Sequence, residues 1–229
     1  MTSRAIQYSK NGDTWTSIST PTTINVVAGD KVRFKSTAPY FYDYENDNYW
    51  TFNGTTCQFN LYGNIMSMEY GDDFKNQPLK TGNNGNLSDF GELFGGCTGL
   101  IDASNLIIPV ANASFGYYYM FRDCTSLINP PKLPATTLQL YCYFGMFKGC
   151  TSLTTAPELP AITPNSNSYG NMFNGCTSLN YVKIMSTVIP PATFLTGVSP
   201  TGTLVMNNDA QWDPTGIVPS GWTVQTVSS

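Results

Sequence analysis

The sequence predicts a mainly β chain built around a short solenoid of repeats about 26 residues long, with an N-terminal β-domain and a C-terminal β cap. Three observations predict it. One eight-residue motif recurs in register, a fixed pattern of apolar residues follows each copy, and both flanks carry short alternating apolar runs separated by turn residues. Hydrophobic residues make up 41% of the 229, enough for a core, and charged residues only 11%, less than half of the usual share of about 25%. Disorder shows the opposite balance.

The motif is Met120-Phe121-Arg122-Asp123-Cys124-Thr125-Ser126-Leu127. It returns as Met146-Phe147-Lys148-Gly149-Cys150-Thr151-Ser152-Leu153 and as Met172-Phe173-Asn174-Gly175-Cys176-Thr177-Ser178-Leu179. A worn copy, Leu93-Phe94-Gly95-Gly96-Cys97-Thr98-Gly99-Leu100, precedes them, and the cysteines are spaced 27, 26 and 26 apart. Tyr169, Met172 or Phe173, and Cys176 fall at i, i+3/i+4 and i+7, which predicts one face of about two helical turns, with Tyr117 and Tyr143 in the equivalent place. Gly149 and Gly175 then sit where a left-handed residue is cheap. Leu179, Val182 and Ile184 follow the spacing of a leucine-rich-repeat strand, which makes the solenoid leucine-rich-repeat-type. The middle copies use Leu153, Ala156 and Leu159 beside prolines, so their strands are expected to be short or interrupted. Four rungs at sheet spacing span roughly 15–20 Å, and the ends of such a stack need caps.

The flanks read as those caps. Ile6, Tyr8, the Asn11-Gly12 turn and Trp15 predict a hairpin. Thr23 to Val27, Ala28-Gly29-Asp30, and Val32 with Phe34 predict a second. Cys57, Phe59 and Leu61 alternate as a further strand. Gly202 to Met206 and Trp222 to Val227 read as two closing strands, with Pro214, Gly216 and Pro219 to Gly221 between them. The division expected is 1–68 N-terminal β-domain, 69–90 joint, 91–200 solenoid and 201–229 C-terminal cap.

The chemistry the sequence excludes is as informative. It has no histidine, which removes His-based triads and the usual near-neutral general base. The six cysteines contain no Cys-x-x-Cys pair, so neither a zinc site nor another metal or cofactor is expected. A net charge of −4 with scattered cations argues against nucleic acid; Lys31, Arg33 and Lys35 read as a solvated strand face. No run approaches the roughly 20 apolar residues of a membrane span, so no membrane insertion is expected. Met1-Thr2-Ser3-Arg4-Ala5 has no apolar signal-peptide region, which predicts use without Sec export or removal of the signal.

Taken with Ala156-Pro157-Glu158-Leu159-Pro160-Ala161 after the second full copy, Gly63-Asn64-Ile65-Met66-Ser67-Met68 ahead of the copies and Gly216-Ile217-Val218-Pro219-Ser220-Gly221-Trp222-Thr223-Val224 near the end, the chain resembles the BspA-like leucine-rich-repeat proteins of Bacteroidales and their phages. The resemblance covers about residue 60 to the end. It implies extracellular interaction without fixing a ligand: adhesion, surface display, or recognition by a phage tail. The expected function is thus a non-catalytic receptor-binding or adhesion module. Its setting is the virion tail or the cell surface, and its partners are a bacterial surface glycan or protein and other tail or surface proteins. The alternatives are a bacterial adhesin whose export signal was removed and, for a surface solenoid with scattered carboxylates, a glycan-cleaving enzyme.

Inward residues of each rung repeat because every rung fills the same core, so the varied outward residues are the candidate binding positions. On the strand side these are Ile101/Asp102, Ile128/Asn129, Thr154/Thr155 and Asn180/Tyr181, then Asn105, Lys132, Glu158 and Lys183. Ahead of the motif, Tyr118, Tyr119 and Tyr141 are freer to face out than Tyr117 and Tyr143. The stretch from Tyr40 to Trp50 has six aromatics and three acids in eleven residues. It reads as an edge strand covering a core, as a binding loop using Tyr42, Tyr44, Tyr49 and Trp50, or as a calcium site from Asp43, Glu45 and Asp47. Cys97, Cys124, Cys150 and Cys176 read as a buried reduced ladder rather than disulfides, and Cys57 and Cys142 as core or strand residues. Asn53-Gly54-Thr55, Asn86-Leu87-Ser88 and Asn112-Ala113-Ser114 fit the glycosylation sequon but carry little weight in a bacterial or phage protein.

Overall fold

A computed structural model describes residues 6–12, 14–18, 20–36, 42–43, 48–49, 51–54, 57–74, 77, 90–109, 113–165 and 167–228. The chain is mainly β, with 27% strand and 4% helix.

At the N-terminal end, β1 (Ile6–Lys10), β2 (Thr16–Ile18) and β3 (Val32–Ser36) form an antiparallel sheet in the order β2-β1-β3. The first expected hairpin is present, with Ile6 opposite Ile18. The second is not. Residues 23–27 form no strand, and β3 pairs with β1 from Ile6↔Ser36 to Lys10↔Val32. The polar atoms around that turn are taken up locally instead: Asp30 accepts from the Val27 amide at 2.8 Å and from Asn11 at 2.6 Å, and it pairs with Lys10 at 2.8 Å. That Lys10 contact, with the two hydrogen bonds, holds the half-buried Asp30 carboxyl down at about 2. β4 (Tyr42–Asp43) and β5 (Asn48–Tyr49) pair antiparallel. β6 (Phe59–Asn64), the short helix α1 (Ser67–Tyr70) and a 3-10 turn at Gly71–Asp73 follow.

From residue 90 onward, successive copies of the motif lie on one another. The segment before each cysteine is not helical, contrary to the expectation. In residues 113–124, alternate amides close three-residue-back turns, as in Tyr118→Phe115 at 3.0 Å, Met120→Tyr117 at 3.2 Å and Arg122→Tyr119 at 3.0 Å. The amides between them reach the next copy: Tyr117→Cys142 at 3.0 Å, Tyr119→Phe144 at 2.9 Å, Phe121→Met146 at 2.9 Å and Asp123→Lys148 at 2.7 Å. An α-helix binds its own N–H groups internally and leaves few for a neighbour; this ribbon of turns divides them. Its repeat is four residues, marked by positive φ at Phe115, Tyr119 and Asp123, then Tyr141, Gly145 and Gly149, then Asn167, Asn171 and Gly175. A period of four imitates the helical 3.6 over two turns, which is why the spacing reads as helical. Non-glycine residues in that region cost of order 1 kcal/mol each, offset here by the bonds between copies.

After each motif the chain runs extended. β7 (Leu100–Ile107) pairs parallel with β6, and β8 (Tyr181–Ile184), β9 (Thr201–Asn207) and β10 (Gly221–Val227) form a parallel sheet in the order β10-β9-β8. Between β7 and β8, the described residues of the proline-bearing middle copies contribute isolated parallel bridges rather than strands, Asp102↔Asn129, Thr155↔Tyr181 and Leu159↔Ile184. Proline lacks the amide that a ladder needs, so the interruption follows from Pro130, Pro131, Pro134, Pro157 and Pro160.

The core is columnar. Phe94, Phe121, Phe147 and Phe173 stack face to face at centroid distances of 5.5, 5.6 and 5.8 Å. The column extends beyond the four copies. Phe52 stacks on Phe94 at 5.3 Å, Phe34 of β3 meets Phe52 edge-on at 4.6 Å, and Phe194 closes the far end against Phe173 at 5.5 Å. A second column runs Phe90, Tyr117, Tyr143. Residues 191–198 therefore act as a further abbreviated copy, with the Phe173 amide bound to the Phe194 carbonyl at 3.1 Å and Gly175 to Thr196 at 2.8 Å. At the C-terminal end, Trp212 and Trp222 are buried and donate to Ser186 O at 3.0 Å and Ser199 O at 2.8 Å.

Candidate functional site

All six cysteines are free thiols. Cys97, Cys124, Cys150 and Cys176 are fully buried, and each thiol donates to the phenylalanine carbonyl of the copy before it: to Phe52 O at 2.9 Å, Phe94 O at 3.1 Å, Phe121 O at 3.1 Å and Phe147 O at 3.0 Å. The position needs a small, apolar residue with one donor, which cysteine supplies. Burial pushes the Cys97 thiol up to about 11 and Cys176 to about 12, so these are inert groups. Cys142 is buried too, but Cys57 is exposed on a bend, correcting its reading as a core or strand residue. The alternation of Cys57 with Phe59 places it just before β6, where the chain has not yet entered the sheet.

The sequence-derived candidates fall on two surfaces. On the strand side, Asn129 and Glu158 are exposed but already tied between copies. Asn129 donates to Asp102 at 2.9 Å and Lys183 pairs with Glu158 at 2.7 Å. The Asp102 carboxyl is lowered first by Ser104 and then by Asn129, while Lys183 is raised by Glu158. Lys132 is exposed and Tyr181 is 37% exposed. These side chains are strewn along the ladder rather than gathered.

On the turn side they are gathered. Tyr118, Tyr119 and Tyr141 are half-buried and join Phe115 and Phe144 in one cluster. Phe115 stacks on Tyr141 at 4.9 Å and Tyr118 on Phe144 at 5.4 Å, each pair bridging two successive copies. Tyr119 stands edge-to-face to Tyr118 at 4.4 Å and to Phe144 at 5.6 Å. Two glycines make room: a Cβ on Gly145 would lie 2.1 Å from the Tyr119 ring, and one on Gly170 2.7 Å from Phe144. Cations border the cluster. Arg122 lies 5.2 Å and Lys148 5.9 Å from the Tyr119 ring centre, and Arg122 reaches back to Glu92 at 3.3 Å. The Tyr141 hydroxyl accepts from Asn167 at 3.4 Å.

The chain matches no known protein family, no curated protein and no solved structure. What the site can do therefore rests on its geometry. Two stacked pairs cover one face of each of four rings, and tyrosine hydroxyls and a cationic rim adjoin them. That is a surface for apolar contact combined with hydrogen bonding. It contains no acid–base pair. Among the described residues no group of three or more His, Cys, Asp or Glu is placed to hold a metal. Phe115, Phe144, Lys148 and Arg122 were not singled out from sequence. The signal was available: setting one copy on the next at 26 residues puts Phe115 over Tyr141 and Tyr118 over Phe144. The aromatic stretch 40–50 contributes the β4–β5 backbone pair. The side chains of Tyr42, Tyr49 and the calcium candidate Asp43, and the residues Tyr44, Trp50, Glu45 and Asp47, lie outside what is described. No helix among the described residues is long and apolar enough to cross a membrane.

Proposed function

We propose that the chain is a short leucine-rich-repeat-type solenoid of the BspA-like kind. It acts as a non-catalytic recognition module, presented on a phage tail or similar particle. Its turn-side aromatic cluster contacts a bacterial surface glycan or protein. The observation that carries this reading is the cluster itself. Five aromatic rings are drawn from two copies to the outward side of a ribbon whose inward side already fills the core with Tyr117, Met120, Phe121, Tyr143, Met146 and Phe147. Large aromatics held half-exposed beside cations have no packing duty of that rank and suit a binding hot spot.

The test is attachment to Bacteroidales cells or purified envelope material. Replacing Tyr118, Tyr119 and Tyr141 together by Ala should weaken attachment by about a hundredfold, at about 1 kcal/mol or more per hot-spot ring. Stacked rings also contribute about 1 kcal/mol each to stability. Tyr118→Phe and Tyr141→Phe therefore serve as companions that keep the stacks and remove only the hydroxyls. Undiminished attachment by the triple variant, with the fold intact, rejects the cluster as the site.

A further inference from the structure

Among the described residues the parallel sheet has β10 as an edge strand with one neighbour, β9. β10 pairs with β9 without interruption from Gly221↔Thr201 to Val227↔Asn207, and the order β10-β9-β8 leaves it outermost. Thr223, Val224, Gln225 and Thr226 are all exposed. Such an edge carries a row of main-chain donors and acceptors whose natural complement is another strand. Proteins that keep an edge unpaired place a charge, a proline or a bulge there. The β10 sequence, Gly-Trp-Thr-Val-Gln-Thr-Val, has no charge and no proline, and its register has no bulge.

The edge at the other end of the stack is of a different kind. β7 carries the extra residues at the register shifts Phe59/Asn60 and Asn60/Tyr62, and β6 itself takes a positive φ, 98°, at Gly63. A strand interrupted at Gly63 offers β10 no seven-residue matching ladder, so head-to-tail addition is poorly served. A two-fold apposition needs only one kind of edge. With no charge along β10, it sets no like charges opposite one another. We propose that β10 is a pairing edge through which two copies of this chain join antiparallel, merging two three-stranded sheets into one. The dimer then carries the turn-side cluster twice, which raises avidity for a repeated surface ligand without a new contact. The pairing stands independently of what that cluster binds.

Sedimentation velocity on the intact chain, from low-micromolar to submillimolar concentration, tests it. The mass should rise from monomer towards dimer and stop there, and exchange of the 222–227 amides should slow as it does. The double substitution Val224→Lys and Gln225→Lys places like charges across the two-fold at exposed positions. It should hold the chain monomeric over the same range, with its melting temperature at low concentration unchanged. A wild-type chain that stays monomeric, one that grows beyond a dimer, or a dimer that survives the lysines overturns the proposal.

Discussion

At the scale of single residues, the cysteine ladder shows how a repeat selects chemistry as well as shape. Each thiol sits at 0% exposure and gives its one donor to a carbonyl of the neighbouring copy. The native chain should therefore show one reactive thiol, Cys57, and six after denaturation; a native count of several, or fewer than six after denaturation, contradicts the ladder. The same burial links stability to pH. Cys97 is raised to about 11 and Cys176 to about 12, and Cys124, Cys142 and Cys150 are raised as well, all chiefly by desolvation. The folded form thus keeps protons that the unfolded chain releases above about 8.5. Stability from these groups is complete below that pH and is lost as pH climbs towards 11 and 12. The melting temperature should fall across that window, and more steeply than in a variant with Cys124, Cys150 and Cys176 replaced by Ala. A flat profile in the parent chain would show that the thiols ionise without cost.

At the scale of elements, the strands and the inward residues were legible and the turn ribbon was not. Leu127, Leu153 and Leu179 start the extended run in each full copy and are fully buried, because every copy meets the same core. The prolines announced the broken middle strands for a local reason, the missing amide. The ribbon was misread because Tyr169, Met172, Phe173 and Cys176 satisfy a period of four and a period of 3.6 equally over eight residues. The distinguishing feature, whether alternate amides turn inward or reach the next copy, is not a property of one copy alone. The missing second hairpin has a similar origin: β3 pairs with β1 over its full length, Ile6↔Ser36 to Lys10↔Val32, a partner distant in sequence that the local pattern of residues 23–36 does not reveal. The closing strands β9 and β10 were anticipated, and they carry a stability prediction. Deleting residues 201–229 uncovers Val182 and Ile184 on β8 and removes the buried Trp212 and Trp222. At about 25 cal/mol per Å2 of apolar surface, losing two buried tryptophans alone costs several kcal/mol. The truncated chain should melt far below the intact one or aggregate; an unchanged transition would mean that the cap bears no load.

At the scale of the whole molecule, the phenylalanine column ties the ends together. It runs from Phe34 in the N-terminal sheet through Phe52 and the four motif copies to Phe194, so the flanks extend the stack rather than merely adjoin it. The sequence marked the repeat but not its outer members, since Phe52 and Phe194 stand outside any recognisable motif. The candidate site was half legible for the same reason. Tyr118, Tyr119 and Tyr141 stood out as aromatics released from the repeat, but their meeting with Phe115 and Phe144 depends on how copies sit on one another. The proposed function requires that this gathered surface, rather than the strand side, meet the partner. Hydroxyl-radical footprinting of the chain bound to envelope material reads this from side-chain oxidation. Tyr118, Tyr119 and Tyr141 should become protected while Tyr62, 57% exposed, and Tyr181 stay reactive; protection of Tyr181 with the turn-side tyrosines unchanged would contradict it.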